Sequence, residues 1–274
     1  MVRWGLRRKI NWPGFGESQK HYDGVKLLNA DNTRMSDKKI ARLIGRAVGD
    51  FSMIHDGDRI AVGLSGGKDS AFLLHSLCAI RDRSPIRFDV IAVTLDPTGG
   101  ASDAARLGEF AARYGARHKI VSHPIFDVIE KSGTKSPCSL CANLRRGILA
   151  TNAREEGCRS LALGHHRDDV VETVFLNLLY EGRFRCFHPN MLMSRSGVRV
   201  IRPLVYVPES AIRAQAERRG FPVVNFCCGY ESSSKRAYVK ALLRNISRKA
   251  PSLYSNVIHS LKTMKESDGW NAGT

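Results

Sequence analysis

The sequence predicts an α/β protein built on a doubly wound, mostly parallel sheet. Apolar stretches of strand type alternate with segments of helical periodicity, as in parallel sheets that carry helices on both faces. The strands are predicted at residues 59–64, 87–96, 118–121, 160–164 and 198–203. Ser65, Asp96 and His165 each lie at or just past the end of one of them. Because the carboxyl ends of parallel strands share one edge of a sheet, these three residues are expected to border a common ligand site.

Helical additions are predicted before and after this sheet in the chain. From Ser36 onward, apolar residues recur at helical spacing with basic residues between them. Residues 36–205 are predicted to hold the α/β domain, and residues 206–274 a basic helical region. Residues 1–35 form a basic arm without sustained periodicity, which we interpret as disordered or as sequence upstream of the native start.

The composition of the 274-residue chain limits the class of protein. The chain is 43% hydrophobic, yet no apolar run approaches the roughly 18 residues of a membrane span, so we predict a cytoplasmic protein without a membrane segment. A formal charge of +17 predicts a polyanionic partner, because a field of that sign concentrates phosphates. The seven cysteines indicate reduced thiols, some of them bound to metal, rather than a disulfide framework. Three of them have no second cysteine at the spacing of a metal-binding pair and are predicted to be buried: Cys78, Cys158 and Cys186.

The most informative stretch reads Ser-Gly-Gly-Lys-Asp-Ser and stands between a predicted strand and a predicted helix. Its glycines let backbone amides approach phosphate oxygens, the helix N-terminus favours negative charge, and Lys68 adds a cation. This is not the common nucleotide-triphosphate loop, because Val62 occupies the position of its first glycine and Asp69 follows the lysine. The predicted phosphate-binding residues are Ser65, Gly66, Gly67, Lys68, Asp69 and Ser70.

A Cys-x-x-Cys pair opens another predicted helix. Ser136 suits the N-cap, so Cys138 and Cys141 would lie on one face of the first turn. Two more cysteines, Cys227 and Cys228, are adjacent in the chain, and adjacent cysteines rarely both reach one metal. The predicted metal ligands are therefore Cys138, Cys141 and Cys227, with Cys228 as the alternative third ligand. Three thiolates would leave one iron of a 4Fe–4S cluster open, and a structural zinc site with a fourth ligand is the alternative.

The block Gly-His-His-Arg-Asp-Asp at residues 164–169 follows a further strand and leads into a helix. Asp168 and Asp169 stand where helix caps often do. The spacing differs from the His-Glu-x-x-His of zinc hydrolases. With a phosphate loop on a neighbouring strand, a carboxylate of this block could hold Mg²⁺ against a bound pyrophosphate group. The block therefore predicts part of a nucleotide site.

Together these blocks resemble one family, the tRNA 2-thiocytidine synthetases (tRNA-cytidine 32 2-sulfurtransferases) of the ATP pyrophosphatase, or PP-loop, superfamily. The matching segments are residues 57–60, 65–70, 138–141, 144–149, 162–169, 175–177 and 201–204. The resemblance covers roughly residues 36–249. The cysteine block and the Gly-His-His-Arg-Asp-Asp block are more specific than the phosphate loop, which many pyrophosphatases share.

The resemblance implies an ATP-dependent transfer of sulfur to tRNA. The phosphate loop would bind ATP, with Gly164 and Asp168 beside it, and O2 of a cytidine in the anticodon loop would be adenylated with release of pyrophosphate. Sulfur carried on the open iron of a three-cysteine 4Fe–4S cluster would then displace AMP and give 2-thiocytidine. The resemblance also implies Asp69 and Asp168 as candidates for Mg²⁺ binding or proton transfer. Arg145 and Arg146 are implied to face the nucleotide or the tRNA.

The second cysteine pair departs from the family pattern. The family has Pro-Cys-x-x-Cys-Gly where this chain has Asn-Phe-Cys-Cys-Gly at residues 225–229, so the third ligand is Cys227 or Cys228. The related tRNA 2-thiouridine synthetases are an alternative, although they carry additional Cys-x-x-Cys zinc modules that this sequence lacks. A zinc-structured RNA-binding module without catalytic activity is the second alternative. The expected sulfur donor is a cysteine desulfurase system or sulfide, and a homodimer is among the expected assemblies because homologues of this kind are often dimeric.

Overall fold

The structure, a computed structural model, describes residues 35–98, 105–134, 136–224 and 234–264. Within these residues the chain forms the strands β1 Asp58–Gly63, β2 Phe88–Asp96, β3 Arg117–Ser122, β4 Ser160–Ala162, β5 Asn190–Leu192 and β6 Arg199–Ile201. They make one sheet in the order β3-β2-β1-β4-β6-β5. Every neighbouring pair is parallel except β5 with β6, which confirms the predicted mostly parallel sheet.

Helices account for most of the remaining described residues. They are α1 Asp37–Asp50, α2 Lys68–Arg81, α3 Ala105–Ala112, α4 Ile125–Ser132, α5 Pro137–Glu155, α6 Arg167–Glu181, α7 Glu209–Arg219, α8 Ser234–Lys249 and α9 Leu253–Thr263. The helices predicted at Ser36 and at residues 209–219 are confirmed, and the side chain of Ser36 caps α1. None of the helices in the described part of the chain is long and apolar enough to cross a membrane.

Strand β1 lies at the centre of the sheet. It pairs in parallel with β2 on one side and with β4 on the other, and all of its residues except Arg59 are buried. Because the three strands run in the same direction, their last residues Gly63, Asp96 and Ala162 lie at one edge of the sheet. The common edge expected from the sequence is therefore present, and the polar loops that follow β1 and β4 begin there.

The two faces of the sheet carry separate cores. On one face, Ile44 of α1 and Leu74 of α2 are buried with Ile60 of β1. On the other face, Ala150 of α5 is buried with Ala61 of the same strand. Successive residues of a strand point to opposite faces, so the apolar run of β1 contributes to both cores. This double coverage explains why Ile60, Ala61 and Val62 of β1 form a continuous apolar run instead of alternating with polar residues.

Helix α5 runs in the direction opposite to the strands. Ala153, near its end, shares a cluster with Ile91 in the first half of β2. Cys141, near its start, packs against the cluster that contains Leu95, which is next to the last residue of β2. The N-terminus of α5 therefore lies at the same edge of the sheet as the carboxyl ends of the strands.

Several local features differ from the expectation. β4 ends at Ala162 and does not continue to residue 164, because its pairing with β6 stops at Ile201. The helix α4 and the short antiparallel strand β5 were not predicted, since both are too short to give a clear periodicity. The helix predicted over residues 101–114 is described from Ala105 to Ala112.

The basic C-terminal helix packs onto the α/β core. Val239 and Leu243 of α8 are buried against Val171 of α6, and Tyr254 of α9 packs on the same cluster. The predicted basic helix is confirmed as α8. Its packing brings part of its basic surface to the carboxyl edge of the sheet.

His75 in α2 is surrounded by aromatic rings. Its ring centroid lies 5.1 Å from that of Tyr114 and 5.6 Å from that of Phe221. Its Nδ1 is buried and has no hydrogen-bond partner among the described residues. Burial first, and the charge of Arg219 second, lower the pKa of His75 to about 4.

The substitution His75→Phe is expected to flatten the pH dependence of stability. In the unfolded chain a histidine takes up a proton near pH 6.5, whereas folded His75 does so only near about 4, so the folded state loses stability as the pH falls through this window. Urea denaturation at about pH 7 and about pH 5 should therefore show a smaller loss for His75→Phe than for the wild type. His259→Gln, which changes an exposed histidine, should keep the wild-type dependence, and a His75→Phe variant that does the same would contradict the assignment.

Candidate active site

Residues 65–70 form a tight turn between β1 and α2. Gly66 has a φ of +82°, a left-handed conformation that favours glycine. The amide of Ser65 donates a hydrogen bond to Oγ of Ser70 at 3.1 Å, and that hydroxyl donates to the carbonyl oxygen of Gly67 at 2.9 Å. The shape of the loop is therefore fixed by its own residues.

The N-terminus of α2 opens toward this loop. Gly67 is the N-cap residue and has no side chain to occupy the first amides of the helix. Free amides and the helix dipole together attract anions. The predicted phosphate loop thus has the local geometry of an anion-binding turn.

Lys68 extends from the first turn of α2 to two carboxylates. Its Nζ lies 3.0 Å from Oδ2 of Asp69 and 3.2 Å from Oε1 of Glu209, the first residue of α7. Burial, the largest influence, favours the neutral amine, but Asp69 and then Glu209 outweigh it and raise the pKa of Lys68. Lys68 is therefore an ammonium ion at neutral pH.

The Gly-His-His-Arg-Asp-Asp block meets α2 from the end of β4. A Cβ atom on Gly164 would lie 3.0 Å from the carbonyl carbon of Asp69, so a side chain there would require the backbone of α2 to shift by a few tenths of an ångström. Nδ1 of His166 accepts a hydrogen bond from the amide of Asp169 at 3.3 Å, and the amide of His166 donates to Oδ2 of Asp169 at 2.9 Å. His166 is therefore the N-cap of α6, and the expected capping role holds for Asp169 and not for Asp168.

The two carboxylates predicted for Mg²⁺ or proton transfer both reach this edge. Oδ1 of Asp69 is buried without a hydrogen-bond partner in the described part of the chain and lies 3.8 Å from Nε2 of His166. Oδ2 of Asp168 accepts a hydrogen bond from the amide of Glu209 at 3.0 Å. Glu209 therefore connects Asp168, through its amide, with Lys68, through its carboxylate.

Helix α8 contributes two cations to the same cluster. Nζ of Lys240 lies 2.8 Å from Oε2 of Glu209. Nη1 of Arg236 lies 3.3 Å from Oε2 of Glu172 and 3.7 Å from Oδ1 of Asp169. Burial raises the pKa of Glu172 despite these nearby cations. The place of these residues at the site is not predicted by the sequence, because no local pattern pairs α8 with a loop so far away in the chain.

The Cys-x-x-Cys pair lies in the first two turns of α5, at the carboxyl edge of the sheet. Cys138 is exposed and Cys141 is half-buried, and both are free thiols. Ser136 occupies the predicted N-cap position, but its side chain makes no capping hydrogen bond. Cys227 and Cys228 lie outside the described residues. Within the described residues no group of three or more His, Cys, Asp or Glu side chains is arranged to hold a metal ion, so the three-cysteine site stays a prediction.

The remaining cysteines behave as apolar side chains. Cys78 and Cys158 are buried as predicted, whereas Cys186 is only partly buried. Burial raises the pKa of the Cys78 and Cys158 thiols to about 11 and that of Cys186 to about 12. These three thiols are therefore protonated at neutral pH.

The two arginines predicted to contact nucleotide or RNA are half-buried on α5. Nη2 of Arg146 donates to Oδ1 of Asn143 at 2.7 Å. Burial first, and the charge of Arg146 second, lower the pKa of Arg202 to about 10. Nε of Arg145 is buried without a partner among the described residues. Their role in RNA binding stays a prediction.

A final contact joins the phosphate loop to the segment after α7. The amide of Val224 donates to the carbonyl oxygen of Gly66 at 3.0 Å. A Cβ atom on Gly66 would lie 2.4 Å from the carbonyl oxygen of Val224, so this close crossing requires glycine. The segment that ends at residue 224 therefore runs directly over the loop.

The fold and the loop define a PP-loop protein, and a family model described as a PP-loop domain matches residues 34–248. A protein of Geobacter metallireducens named tRNA-cytidine(32) 2-sulfurtransferase is 42% identical over 236 residues, which are 83% of this chain and 90% of that protein. A protein of the same name from Alkalilimnicola ehrlichii is 40% identical over 233 residues, 84% of this chain and 74% of its own length. The chain therefore belongs to the tRNA-cytidine(32) 2-sulfurtransferase family of transferases, as predicted.

A solved structure with a similar fold is also a tRNA-modifying enzyme. The U34-tRNA thiolase NcsA of Methanococcus maripaludis superposes with a TM-score of 0.67 at 26% identity, over 83% of this chain and 79% of that one. That protein was solved with its 4Fe–4S cluster. The likeness confirms the predicted α/β fold of the PP-loop type.

The substitution Gly164→Ala is expected to weaken nucleotide binding and to lower stability by about 1–3 kcal/mol, as overpacking usually does. The added Cβ would lie 3.0 to 3.1 Å from backbone atoms of Asp69 and Ser70, which can yield only if the phosphate loop shifts. Calorimetric titration with ATP and urea denaturation measure the two effects. Gly147→Ala is the matched control, because nothing lies within 4 Å of its Cβ position. Equal affinities for ATP in Gly164→Ala and Gly147→Ala would contradict the tight packing of Gly164 against the phosphate loop.

Proposed function

We propose that this chain is an ATP-dependent tRNA sulfurtransferase. It adenylates O2 of cytidine 32 in the anticodon loop and replaces that oxygen with sulfur, giving 2-thiocytidine, AMP and pyrophosphate. The observation that carries the proposal is the presence, at one edge of the sheet, of an anion-binding loop and a pair of free cysteines. The names of the relatives support the choice of cytidine over uridine as the target base.

ATP fits the phosphate loop through three features of the chain itself. The first amides of α2 have no side-chain cap, Gly67 places no side chain in front of them, and Lys68 is an ammonium ion. When O2 of the cytidine attacks the α-phosphorus, the bond to the β-phosphate oxygen breaks and pyrophosphate leaves with its electron pair. The loop amides and Lys68 would stabilise the charge that develops on this leaving group.

Mg²⁺ fits Asp69 better than Asp168. Oδ1 of Asp69 is buried without a hydrogen-bond partner among the described residues, and a hard cation prefers such an oxygen. Oδ2 of Asp168 already accepts a hydrogen bond from the amide of Glu209. Asp69 would hold the ion, and Asp168 would orient the start of α7.

A three-cysteine cluster fits the start of α5. Residues three apart on a helix have Cβ atoms about 5–6 Å from each other, a separation that two thiolates of one cluster can span. Cys138 is exposed and therefore accessible to a metal ion. When bound, a 4Fe–4S cluster held by three cysteines would supply the sulfur at the iron that has no cysteine ligand.

The contact of Val224 with Gly66 supports a third ligand from the following segment. Three residues of extended chain span at most about 11 Å, so Cys227 is tethered within that distance of Val224 by the covalent chain alone. Because Val224 lies on the phosphate loop, the same chain links the third cysteine to the nucleotide site. This supports a cluster next to the ATP site without fixing which of Cys227 and Cys228 binds it.

The polyanionic substrate matches the charge of the chain. The formal charge of +17 favours tRNA, and binding should weaken steeply with salt because phosphate contacts release counterions. Arg145, Arg146 and the exposed basic residues of α8 would contact the RNA. A cysteine desulfurase system or sulfide would supply the sulfur in the cytoplasm.

The substitution Cys138→Ala is expected to abolish thiolation while leaving ATP binding intact, because it removes a cluster ligand and no part of the phosphate loop. The wild-type chain, purified without oxygen, should contain about four irons and four sulfides, and the variant should lose them. Nucleoside analysis of the tRNA by mass spectrometry measures 2-thiocytidine. Cys158→Ala, which changes a buried thiol beyond the C-terminal end of α5, should keep both iron and activity. Normal thiolation by Cys138→Ala, or zinc in place of iron in the wild type, would refute the cluster but not the ATP site.

A paired substitution identifies the third ligand. Cys227→Ala is expected to lose the cluster and Cys228→Ala to retain it, because adjacent cysteines rarely both reach one metal and Cys227 is nearer along the chain to the contact of Val224 with the loop. Iron content and the charge-transfer absorbance of the two variants provide the comparison. The reverse result would assign the ligand to Cys228.

A further inference from the structure

One carboxylate at the carboxyl edge of the sheet is shared by three cations from three helices. Oε1 of Glu209 lies 3.2 Å from Nζ of Lys68 and 3.1 Å from Nη2 of Arg213, and Oε2 lies 2.8 Å from Nζ of Lys240. The side chain of Glu209 is only 12% exposed, so these contacts are poorly screened by solvent. Lys68 comes from the phosphate loop, Arg213 from α7 itself and Lys240 from α8.

Lys68 is therefore already paired before any nucleotide arrives. Asp69 and Glu209 both lie within 3.2 Å of its ammonium group. A polyphosphate that binds the loop has to take this ammonium group from one or both carboxylates. It also has to approach the negative charge of Glu209, and like charges at close range cost binding free energy.

We propose that Glu209 is a positioning residue for Lys68. It holds the ammonium group in place beside the phosphate loop and competes with the phosphates of the nucleotide for it, and Lys240 of α8 sets the strength of this competition. The inference rests on the proposed ATP-dependent function and names a residue that no part of that proposal requires.

The two roles of Glu209 predict effects of opposite direction. In Glu209→Gln the competing charge is gone, so a polyphosphate should bind about tenfold more tightly. The ammonium group of Lys68 would at the same time lose a fixed partner, and turnover should fall by about tenfold because a mobile cation stabilises the leaving group less well. A residue that only maintains the fold would weaken binding and turnover together.

Lys240 should act in the opposite direction on binding. It neutralises Oε2 of Glu209, so its removal leaves the carboxylate free to hold Lys68 more strongly. Lys240→Met should therefore bind a polyphosphate about threefold more weakly, and most of that loss should disappear when Glu209→Gln is already present. Such non-additivity is the sign that Lys240 acts through Glu209.

The experiment is calorimetric titration of the full chain with inorganic pyrophosphate and with a non-hydrolysable ATP analogue, in the absence of RNA. It compares the wild type, Glu209→Gln, Lys240→Met, the double variant and the control Glu217→Gln. Glu217 is exposed and lies about 12 Å further along α7 than Glu209. Glu217→Gln therefore also removes one negative charge, but at a position that does not contact Lys68. AMP release in the presence of tRNA gives the turnover of the wild type, Glu209→Gln and Glu217→Gln, and urea denaturation checks that each variant is folded.

Tighter binding with slower turnover in Glu209→Gln, together with the non-additive double variant, supports the proposal. Unchanged binding, or a joint loss of binding and turnover, in Glu209→Gln overturns it. A wild-type chain that binds neither ligand overturns the proposed ATP function as well, so the two failures are distinct.

Discussion

The parallel pairing of β1 with β2 and β4 is the constraint on which the site depends. It sets the ends of three strands at one edge, so that the phosphate loop after β1 and the polar block after β4 leave the sheet side by side. The contact of Gly164 with the first turn of α2 then fixes how closely the two segments approach. The same constraint directs α5 back across the sheet and brings the Cys-x-x-Cys pair to that edge.

The charges at this edge are balanced within the chain. The four cations Lys68, Arg213, Lys240 and Arg236 are matched by the four carboxylates Asp69, Glu209, Glu172 and Asp169 at distances from 2.8 to 3.9 Å. A site built in this way is stable without its nucleotide, because each of these cations has a carboxylate partner. Because Lys68 is already paired, an anion that binds the loop has to replace a carboxylate as its partner. The affinity of the loop for an anion therefore depends on residues outside the loop, such as Glu209 and Lys240.

The overall charge of the chain and the local balance of the site serve different purposes. An excess of 17 positive charges acts at long range on a polyanion such as tRNA. The ion pairs around Lys68 act at short range. They determine whether its ammonium group pairs with a carboxylate oxygen of the chain or with a phosphate oxygen of the nucleotide. Helix α8 takes part in both, because Val239 and Leu243 anchor it on α6 while Arg236 and Lys240 enter the site.

The sequence by itself determined the class of fold, the phosphate loop, the cysteine helix and the family. Each of these depends on residues that are close together in the chain, where propensity, periodicity and glycine geometry act locally. Only the tertiary structure decided that His166 and not Asp168 caps α6, that Gly164 packs tightly against the backbone of α2, and that Glu209 joins Lys68 to Lys240. The physical reason is that these contacts join side chains from different elements, and their distances follow from how the helices pack on the sheet, which no local pattern encodes.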